Sequence, residues 1–262
     1  MPDLDTLLLD AVQIARRVGN VHLSYFRGAQ NLDIATKSCE SDIVTAADKA
    51  AEFEIISSVK SLYPDHYILS EESGEISGGS DWQWVVDPLD GTTNFSQGLP
   101  VFSVSIGIKH RGVTQVGVVF APYLNELFHA VRGAGAYLNG KPIHCSDKTR
   151  MEHCVISTGF PVDNRTNPIN NVAEFRQVLP QVRALRRYGS AAIDMSYAAA
   201  GIFDAYWEMN LHEWDVCAGE LIAQEAGAKC VRYRHDRKIS ITAGNPHIVD
   251  ALLPIISPME QI

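Results

Sequence analysis

Seven consecutive residues, Asp87-Pro88-Leu89-Asp90-Gly91-Thr92-Thr93, put two carboxylates, a glycine and two hydroxyls at the end of an apolar run, Trp82 to Val86. Proline fixes φ and removes a backbone donor, and glycine opens conformations closed to other residues, so a sharp turn is expected there. Two carboxylates held this close repel one another unless a cation lies between them. The plain structural alternative is a strand-to-helix turn in which Asp90 and Thr92 cap the next turn of the chain. Other oxygen donors sit at comparable punctuation points. Glu71-Glu72-Ser73 follows a short strand signal, Tyr67-Ile68-Leu69. Thr45-Ala46-Ala47-Asp48 has the spacing of a capping box, and Asp215 precedes the helical stretch Val216 to Ala226, where it reads equally well as an N-cap. If Glu71, Asp87, Asp90 and Asp215 converge, they form a hard-oxygen set without His or Cys, which suits magnesium or manganese rather than zinc. Gly189-Ser190-Ala191 precedes another helical stretch, a place where free amides can hold an anionic or hydroxylated group.

The elements that must carry these groups follow from periodicity. Leu7, Ala11, Ile14, Val18, Val21 and Tyr25 recur at helical spacing, with Asp3 or Asp5 placed to cap the start and Gly28 to end it. A second helix is expected from Thr45, with Ala46, Ala50, Phe53, Ile56 and Val59 on its buried side and Tyr63-Pro64 as its stop. A polar loop through Gly74, Gly78 and Gly79 separates Glu71 from the Asp87 turn. From Val101 to Ala121 apolar residues alternate on either side of Arg111-Gly112, the pattern of an antiparallel hairpin. Asn139-Gly140 marks another hairpin. The stretch Gly135 to Pro142 nearly matches a phosphate-binding loop, but Pro142 stands where a magnesium-binding hydroxyl belongs and no helical pattern follows, so that reading is rejected. Beyond Met151, strands near Val155, Ala205, Val231 and Ile239 alternate with helical stretches around Phe175, 191–200, 216–226 and 248–255. Residues 1–150 therefore read as an α+β half with antiparallel strands and most of the candidate ligands. Residues 151–262 read as an α/β half supplying Asp215 and substrate contacts, the two joined into one layered body.

Composition excludes several classes. The 262 residues are 46% hydrophobic, enough for a full core, and carry 31 acidic against 22 basic residues, a formal net charge of -9. Such a chain has no cationic face for direct nucleic-acid or membrane binding, and no apolar run approaches the roughly 20 residues of a span. The acidic start lacks the basic region of a secretory leader. The five cysteines are scattered without a C-x-x-C pair. A cytoplasmic location with reduced thiols is the expectation.

Taken together, the motifs resemble the inositol monophosphatase family. They are Lys37 with Asp42-Ile43-Val44-Thr45-Ala46-Ala47-Asp48, Glu71-Glu72-Ser73, Asp87 to Phe95, Gly189-Ser190-Ala191-Ala192, and Trp214-Asp215 with Gly219-Glu220. The resemblance covers almost the whole chain and implies a layered αβαβα sandwich of the sugar-phosphatase type. It also implies a homodimer, lithium sensitivity, and two or three Mg2+ ions per site, with Mn2+ as a substitute. On that resemblance Glu71, Asp87 and the Leu89 carbonyl hold one ion, and Asp87, Asp90 and Asp215 a second. An activated water attacks phosphorus in line, with Thr92 and Asp48 orienting it and drawing off its proton and Glu71 assisting. Gly91 and Thr92 amides cradle the phosphate, Lys37 adds positive charge, and Glu208 with Gly189, Ser190 and Ala191 holds substrate hydroxyls. Leu89, Asp90, Asp215 and Glu71 also border the substrate.

The implied reaction is hydrolysis of a small phosphorylated polyol or sugar, inositol 1-phosphate first. Fructose-1,6-bisphosphatase or NADP phosphatase activity is the enzymatic alternative, and an accessory role in transcription antitermination the non-enzymatic one. Relatives acting on 3′-phosphoadenosine 5′-phosphate or histidinol phosphate often carry Lys where this chain has Thr93, which favours the inositol group. Glu213 adds a carboxylate two positions before Asp215. It reads either as a solvated loop charge or as a modifier of the second ion site that blunts lithium inhibition.

Overall fold

The computed structural model describes residues 3–28, 30–40 and 42–257. Helix α1 (Leu4–Tyr25) buries Leu7, Ala11, Ile14, Ala15 and Val18 at the expected spacing and gives way to a short turn ending at Gly28, whose φ is +81°. Asp3 stands at its N-cap but makes no side-chain cap bond. After a small antiparallel pair, β1 (Ala35–Thr36) and β2 (Ile43–Val44), comes α2 (Ala46–Leu62).

The buried face of α2 differs from the expected one. Ala47, Asp48, Ala51, Glu52, Ile55 and Val59 face inward, whereas Ala46, Ala50 and Ile56 are only half-buried and Phe53 is 74% exposed. The cause lies in two acids that an apolar tally cannot place inside. Asp48 belongs to the candidate site. Glu52 accepts hydrogen bonds from the Ser73 amide (2.9 Å) and hydroxyl (2.6 Å), and from Ser70, and so secures the turn that carries Glu71 and Glu72. Buried charge is tolerated where hydrogen bonds replace its hydration.

Apart from that pair, the first large sheet consists of β3 (Tyr67–Ser70), β4 (Gly74–Ile76), β5 (Trp82–Asp90), β6 (Ser103–His110), β7 (Val113–Ala121), β8 (Glu126–Val131), β9 (Ala136–Leu138) and β10 (Lys141–Pro142), with a short helix α3 (Thr92–Ser96) after β5. Their order is β10-β9-β8-β7-β6-β5-β3-β4, antiparallel except for the parallel pair β3 and β5. Gly74 to Ile76, expected as loop, pairs as an edge strand. The stretch that mimicked a phosphate loop is the β9–β10 hairpin, turning on Asn139 and Gly140, both at positive φ.

The second sheet combines β11 (Val155–Thr158), β12 (Ala184–Arg186), β13 (Ala205–Leu211), β14 (Lys229–Arg232) and β15 (Ile239–Gly244) in the order β12-β11-β13-β15-β14. Its first three strands are parallel, and β15 runs antiparallel to both its neighbours. Helices α4 (Val172–Val178), α5 (Ala191–Ala199), α6 (Glu213–Glu225) and α7 (Pro246–Ile256) complete the chain. Five layers result: α1 and α2, the first sheet, α5 and α6, the second sheet, then α4 and α7.

The β6–β7 hairpin shows how the central layer is brought close. Its alternation is large against small rather than buried against exposed, because both faces are covered. Val104, Ile106 and Ile108 meet α1 and α2, while Ser103, Ser105 and Gly107 face the central helices. A Cβ at Gly107 would collide with the Cys217 sulfur, and one at its partner Gly117 would lie 2.7 Å from the Ala218 carbonyl. Two cross-strand glycines thus let α6 lie directly on the first sheet, which brings its first turn to the tip of β5.

Candidate active site

At the tip of β5 the ladder to β6 slips. Asp87 pairs with Ser105 and Asp90 with Ser103, so three steps on one strand face two on the other, and the bulge re-aims both aspartates. Asp87 folds back to accept the Leu89 amide (3.0 Å). From α1, buried His22 donates through Nε2 to the Pro88 carbonyl at 2.8 Å. Gly91 follows at φ +94°, where a Cβ would stand 3.0 Å from the Val101 carbonyl and 3.2 Å from that of Gly189. Only glycine fits both the conformation and the space.

Asp90 does not cap α3. Its carboxylate accepts from the Ser190 hydroxyl (2.6 Å) and from the amides of Ala192 (2.8 Å) and Ala191 (3.3 Å), and so caps α5 from outside. The N-terminal groups of Ser190 and Ala191, expected to be free for substrate, are turned to Asp90 instead. Gly189, at φ +86°, forms the turn beside them and lies against Asn94, which donates to the Val101 and Tyr188 carbonyls.

Thr45 and Asp48 form the capping box that their spacing suggested, with Asp48 Oδ2 accepting from the Thr45 amide (2.8 Å) and hydroxyl (2.6 Å). The other oxygen of Asp48 faces Thr92 Oγ at 3.0 Å, and the Leu89 carbonyl lies equally near that hydroxyl. One hydroxyl proton serves one of these acceptors at a time. Capping and contact with the site are thus two uses of one carboxylate. Asp215 shows the same economy. Helix α6 begins at Glu213, before the expected start, so Asp215 is its third residue rather than its N-cap, and accepts the His212 amide at 2.6 Å.

Glu71, at the end of β3, pairs with Lys37 at 2.8 Å, and Lys37 also contacts Glu72. Burial opposes the charge of Lys37, but these two glutamates outweigh it and strengthen its hold on the proton. Glu72 is pushed up to about 7 by burial, against the pull of Lys37. Burial raises Asp87 well above the carboxylate range, and Glu71, Asp90 and Asp215 raise it further. Asp215 is raised by burial in the same way, with the His212 amide opposing and Asp90 and Glu71 adding. Asp90 rises to about 6, chiefly through burial, with Ser190 and the Ala192 amide opposing. Burial raises Asp48 as well.

Glu71, Asp87, Asp90 and Asp215 therefore act on one another's charge within one buried pocket of hard oxygen donors. No three of them converge as ready ligands of one ion among the described residues, because Asp90 is turned to α5 and Asp215 to His212. The donor chemistry nevertheless fits a hard divalent cation. The four acidic groups offer oxygen donors only, and burial with mutual repulsion raises the proton affinity of three aspartates, a cost that a cation relieves.

A cavity of about 450 Å3 opens above these groups, bordered by Lys37, Glu71, Asp215, Glu208, Phe160 and Lys238. Asp87 (2% exposed) and Asp90 (9%) lie beneath it. Glu208 sits where β13 slips against β15 and accepts the Tyr206 hydroxyl at 2.7 Å. Its carboxyl is pushed up to about 7 by burial, and Gly159 leaves the space that it occupies, since a Cβ there would collide with it. Sequence reasoning missed His22, Glu52, Gly159, Tyr206 and Lys238. None lies in a motif, though a histidine on the apolar stripe of α1 was a visible anomaly. Of the two readings of Glu213, the structure supports a charge away from the ion site, at the start of α6 rather than in a loop: its carboxylate contacts Lys109 and Arg232 beside a separate cavity of about 210 Å3 behind α6.

With this geometry in hand, comparison with known proteins is direct. A sequence profile of the inositol monophosphatase family matches residues 3–257. A protein of Pasteurella multocida named Nus factor SuhB is 42% identical over 260 residues, covering 97% of each chain. A crystal structure of the extragenic suppressor protein suhB from Bartonella henselae superposes with a TM-score of 0.90 at 37% identity, covering 98% of this chain and 100% of that one. The inositol monophosphatase of Anabaena (Nostoc) gives a TM-score of 0.86 at 36% identity, over 97% and 96% of the two chains.

Proposed function

The chain belongs to the inositol monophosphatase family, and from that premise we propose that it hydrolyses a small phosphomonoester of a polyol or sugar with the help of magnesium, inositol 1-phosphate being the first candidate. The observation that carries this reading is the mutually repelling set Glu71, Asp87, Asp90 and Asp215 at the junction of β3, β5 and α6, with Asp87 and Asp90 buried and Glu71 and Asp215 half-buried. Glu71, Asp87 and the Leu89 carbonyl are the proposed donors at one ion position, and Asp87, Asp90 and Asp215 at a second. Bound Mg2+, for which Mn2+ is the natural substitute, supplies the positive charge that favours in-line displacement at phosphorus.

The chain's own groups do the rest. Thr92 orients the attacking water through its hydroxyl and passes a proton toward Asp48, whose proton affinity is raised by burial. Glu71 assists from the β3 side. The amides of Gly91 and Thr92 hold phosphate oxygens, Lys37 adds a compact charge, and Glu208 accepts substrate hydroxyls across the cavity. The turn at Gly189 to Ala191 acts through Asp90, which it aims. Phosphate release from inositol 1-phosphate, fructose 1,6-bisphosphate and NADP, measured with and without magnesium, tests the reading. Magnesium-dependent turnover of at least one is expected, and none with any of them would overturn it.

A second reading has one specific observation behind it, the name Nus factor SuhB carried by relatives such as that of Pasteurella multocida. It is an accessory role in transcription antitermination through protein contacts, in a cytoplasmic homodimer. Affinity capture of RNA polymerase components by both the wild-type protein and Asp87→Asn would favour it.

A further inference from the structure

The carboxylate of Glu71 stands on a three-residue loop, Glu71-Glu72-Ser73, that joins β3 to β4, and Ser70 pairs with Gly74 across its mouth. One side chain from outside the sheet holds both ends of that loop. Glu52 of α2, only 7% exposed, accepts the Ser70 hydroxyl where the loop leaves β3, and the Ser73 amide (2.9 Å) and hydroxyl (2.6 Å) where it enters β4. Both carboxylate oxygens are used, and among the described residues no cation pairs with them. A buried carboxylate without a counter-charge is costly for mere packing, whereas a loop that offers three donors calls for an acceptor with two oxygens. Lys37 does not duplicate this hold, because its ammonium contacts the Glu71 and Glu72 carboxylates and none of the loop's main chain. Glu52 also lies one helical turn beyond Asp48 on the inward face of α2. One helix face thus carries both the partner of Thr92 and the clamp on the Glu71 loop.

We propose that Glu52 is a positioning residue for the ion position assigned to Glu71, Asp87 and the Leu89 carbonyl: by fixing both ends of the β3–β4 loop it aims Glu71 at Asp87 and sets the Mg2+ affinity there. The proposal rests on the ion assignment of the phosphatase reading and deepens it. Glu71 acts directly on the charge of Asp87, so a small swing of the loop changes the donor set. Glu52 itself stays behind the loop and meets neither ion nor substrate. A donor fixed in advance loses less freedom when the ion binds, and groups that orient a donor from behind typically carry about 10- to 100-fold in affinity.

The test is calorimetric titration of the metal-free protein with magnesium chloride. It compares the wild type with Glu52→Ala, with Glu52→Gln, which keeps an acceptor oxygen and loses the charge, and with the double variant Ser70→Ala, Ser73→Ala, which keeps the charge and loses two donors. Glu52→Ala is expected to weaken Mg2+ binding roughly tenfold or more, Glu52→Gln by no more than about threefold, and the serine pair by an intermediate amount. In turnover of inositol 1-phosphate, the loss in Glu52→Ala should be recovered by excess magnesium with KM for the substrate unchanged, a pattern that general loosening of the fold does not give. Wild-type affinity in Glu52→Ala overturns the proposal. So does an equal loss in Glu52→Ala and Glu52→Gln with none in the serine pair, since a distant negative charge then accounts for it. If Glu52→Ala does not fold, the serine pair decides, and unchanged affinity there overturns the proposal. Mg2+ binding without hydrolysis of any phosphomonoester overturns the phosphatase reading and leaves Glu52 to be judged by the affinities; no Mg2+ binding to the wild type overturns both.

Discussion

On the ion side of the cavity the functional groups are tied largely to main chain. Asp90 is held by the first amides of α5, Asp215 by the His212 amide, Asp48 by the Thr45 amide, and the loop between Asp87 and Asp90 by its own Leu89 amide and by His22 on the Pro88 carbonyl. On the facing side the groups are tied to other side chains. Glu208 is held by the Tyr206 hydroxyl, Lys238 by the His212 ring, and Trp207, next to Glu208, by Asn171. Main-chain anchors persist whatever the neighbouring side chains are, whereas a side-chain anchor is lost or remade by one substitution. On the proposed assignment of roles, the contrast divides bond breaking from substrate choice, with bond breaking on the wall that substitution disturbs least and substrate choice on the wall that it remodels most readily.

The comparison breaks most directly at Asp87. Asp87→Asn is expected to lower kcat/KM by roughly a thousandfold or more, since it removes charge from both proposed ion positions. Without magnesium the variant should unfold no more easily than the wild type, because a buried like charge has been deleted. Saturating magnesium should raise the wild-type melting temperature, by about 2.7 kcal/mol of stability at a hundredfold excess over Kd, and leave the variant nearly unmoved. Near-normal turnover in Asp87→Asn would refute the ion assignment.

Thr92→Val tests the proton path with a smaller effect. It keeps the shape of the side chain and deletes the hydroxyl between Asp48 and the Leu89 carbonyl, so kcat should fall about a hundredfold with KM little changed. A fall in affinity alone would recast Thr92 as a binding group.

His22 reports on how firmly the main-chain side is held. Burial pushes it down to about 4, although the Pro88 carbonyl pulls the other way, and its Nδ1 has no partner to share a second proton. Between pH 6.5 and about 4 the unfolded chain takes up a proton that the folded chain refuses, so this stability is fully present above pH 6.5. It is lost as pH falls toward 4, by up to about 3 kcal/mol. Urea unfolding across that interval should show the slope in the wild type and a flatter profile in His22→Leu. Equal slopes in the two proteins would remove His22 from the account.

The same contrast explains what the sequence disclosed. The ion side was legible because its donors sit in short contiguous motifs at strand ends and helix starts, Asp87 to Thr93 above all, where residue type and spacing already imply a turn with two carboxylates. The layered fold was legible in outline from alternation and helical periodicity. The inward face of α2 was misread because Asp48 and Glu52 are buried by hydrogen bonding rather than by hydrophobicity. Of the facing wall only Glu208 was named, through the family resemblance; Phe160, His212 and Lys238 stayed hidden because they join it only when the second sheet forms. The contact of Lys238 with His212 depends on a ring stacked on Trp214, which no spacing encodes.

The smallest expected effect is at Glu213, and it sets the limit of the ion side. Sequence position alone made this carboxylate a neighbour of Asp215 and a candidate to strengthen the second ion position against lithium. Successive residues of a helix point in different directions, and here Asp215 borders the main cavity while Glu213 borders the smaller one behind α6. Its charge is answered there by Lys109 and by Arg232, 3.8 Å away, so little field remains to act through α6. Lithium inhibition itself is an expectation from the family, a monovalent ion of similar size competing at the weaker position. Glu213→Ala should therefore leave both the magnesium activation curve and the lithium inhibition of the wild type within about twofold, at a cost of roughly 1 kcal/mol in stability from the lost pair. Initial rates on inositol 1-phosphate over a grid of lithium and magnesium concentrations decide it. A larger shift in either curve would mean that a side chain behind α6 tunes the ion site, and the separation between a main-chain-held reaction wall and a side-chain-held selection wall would have to be redrawn to include α6 itself.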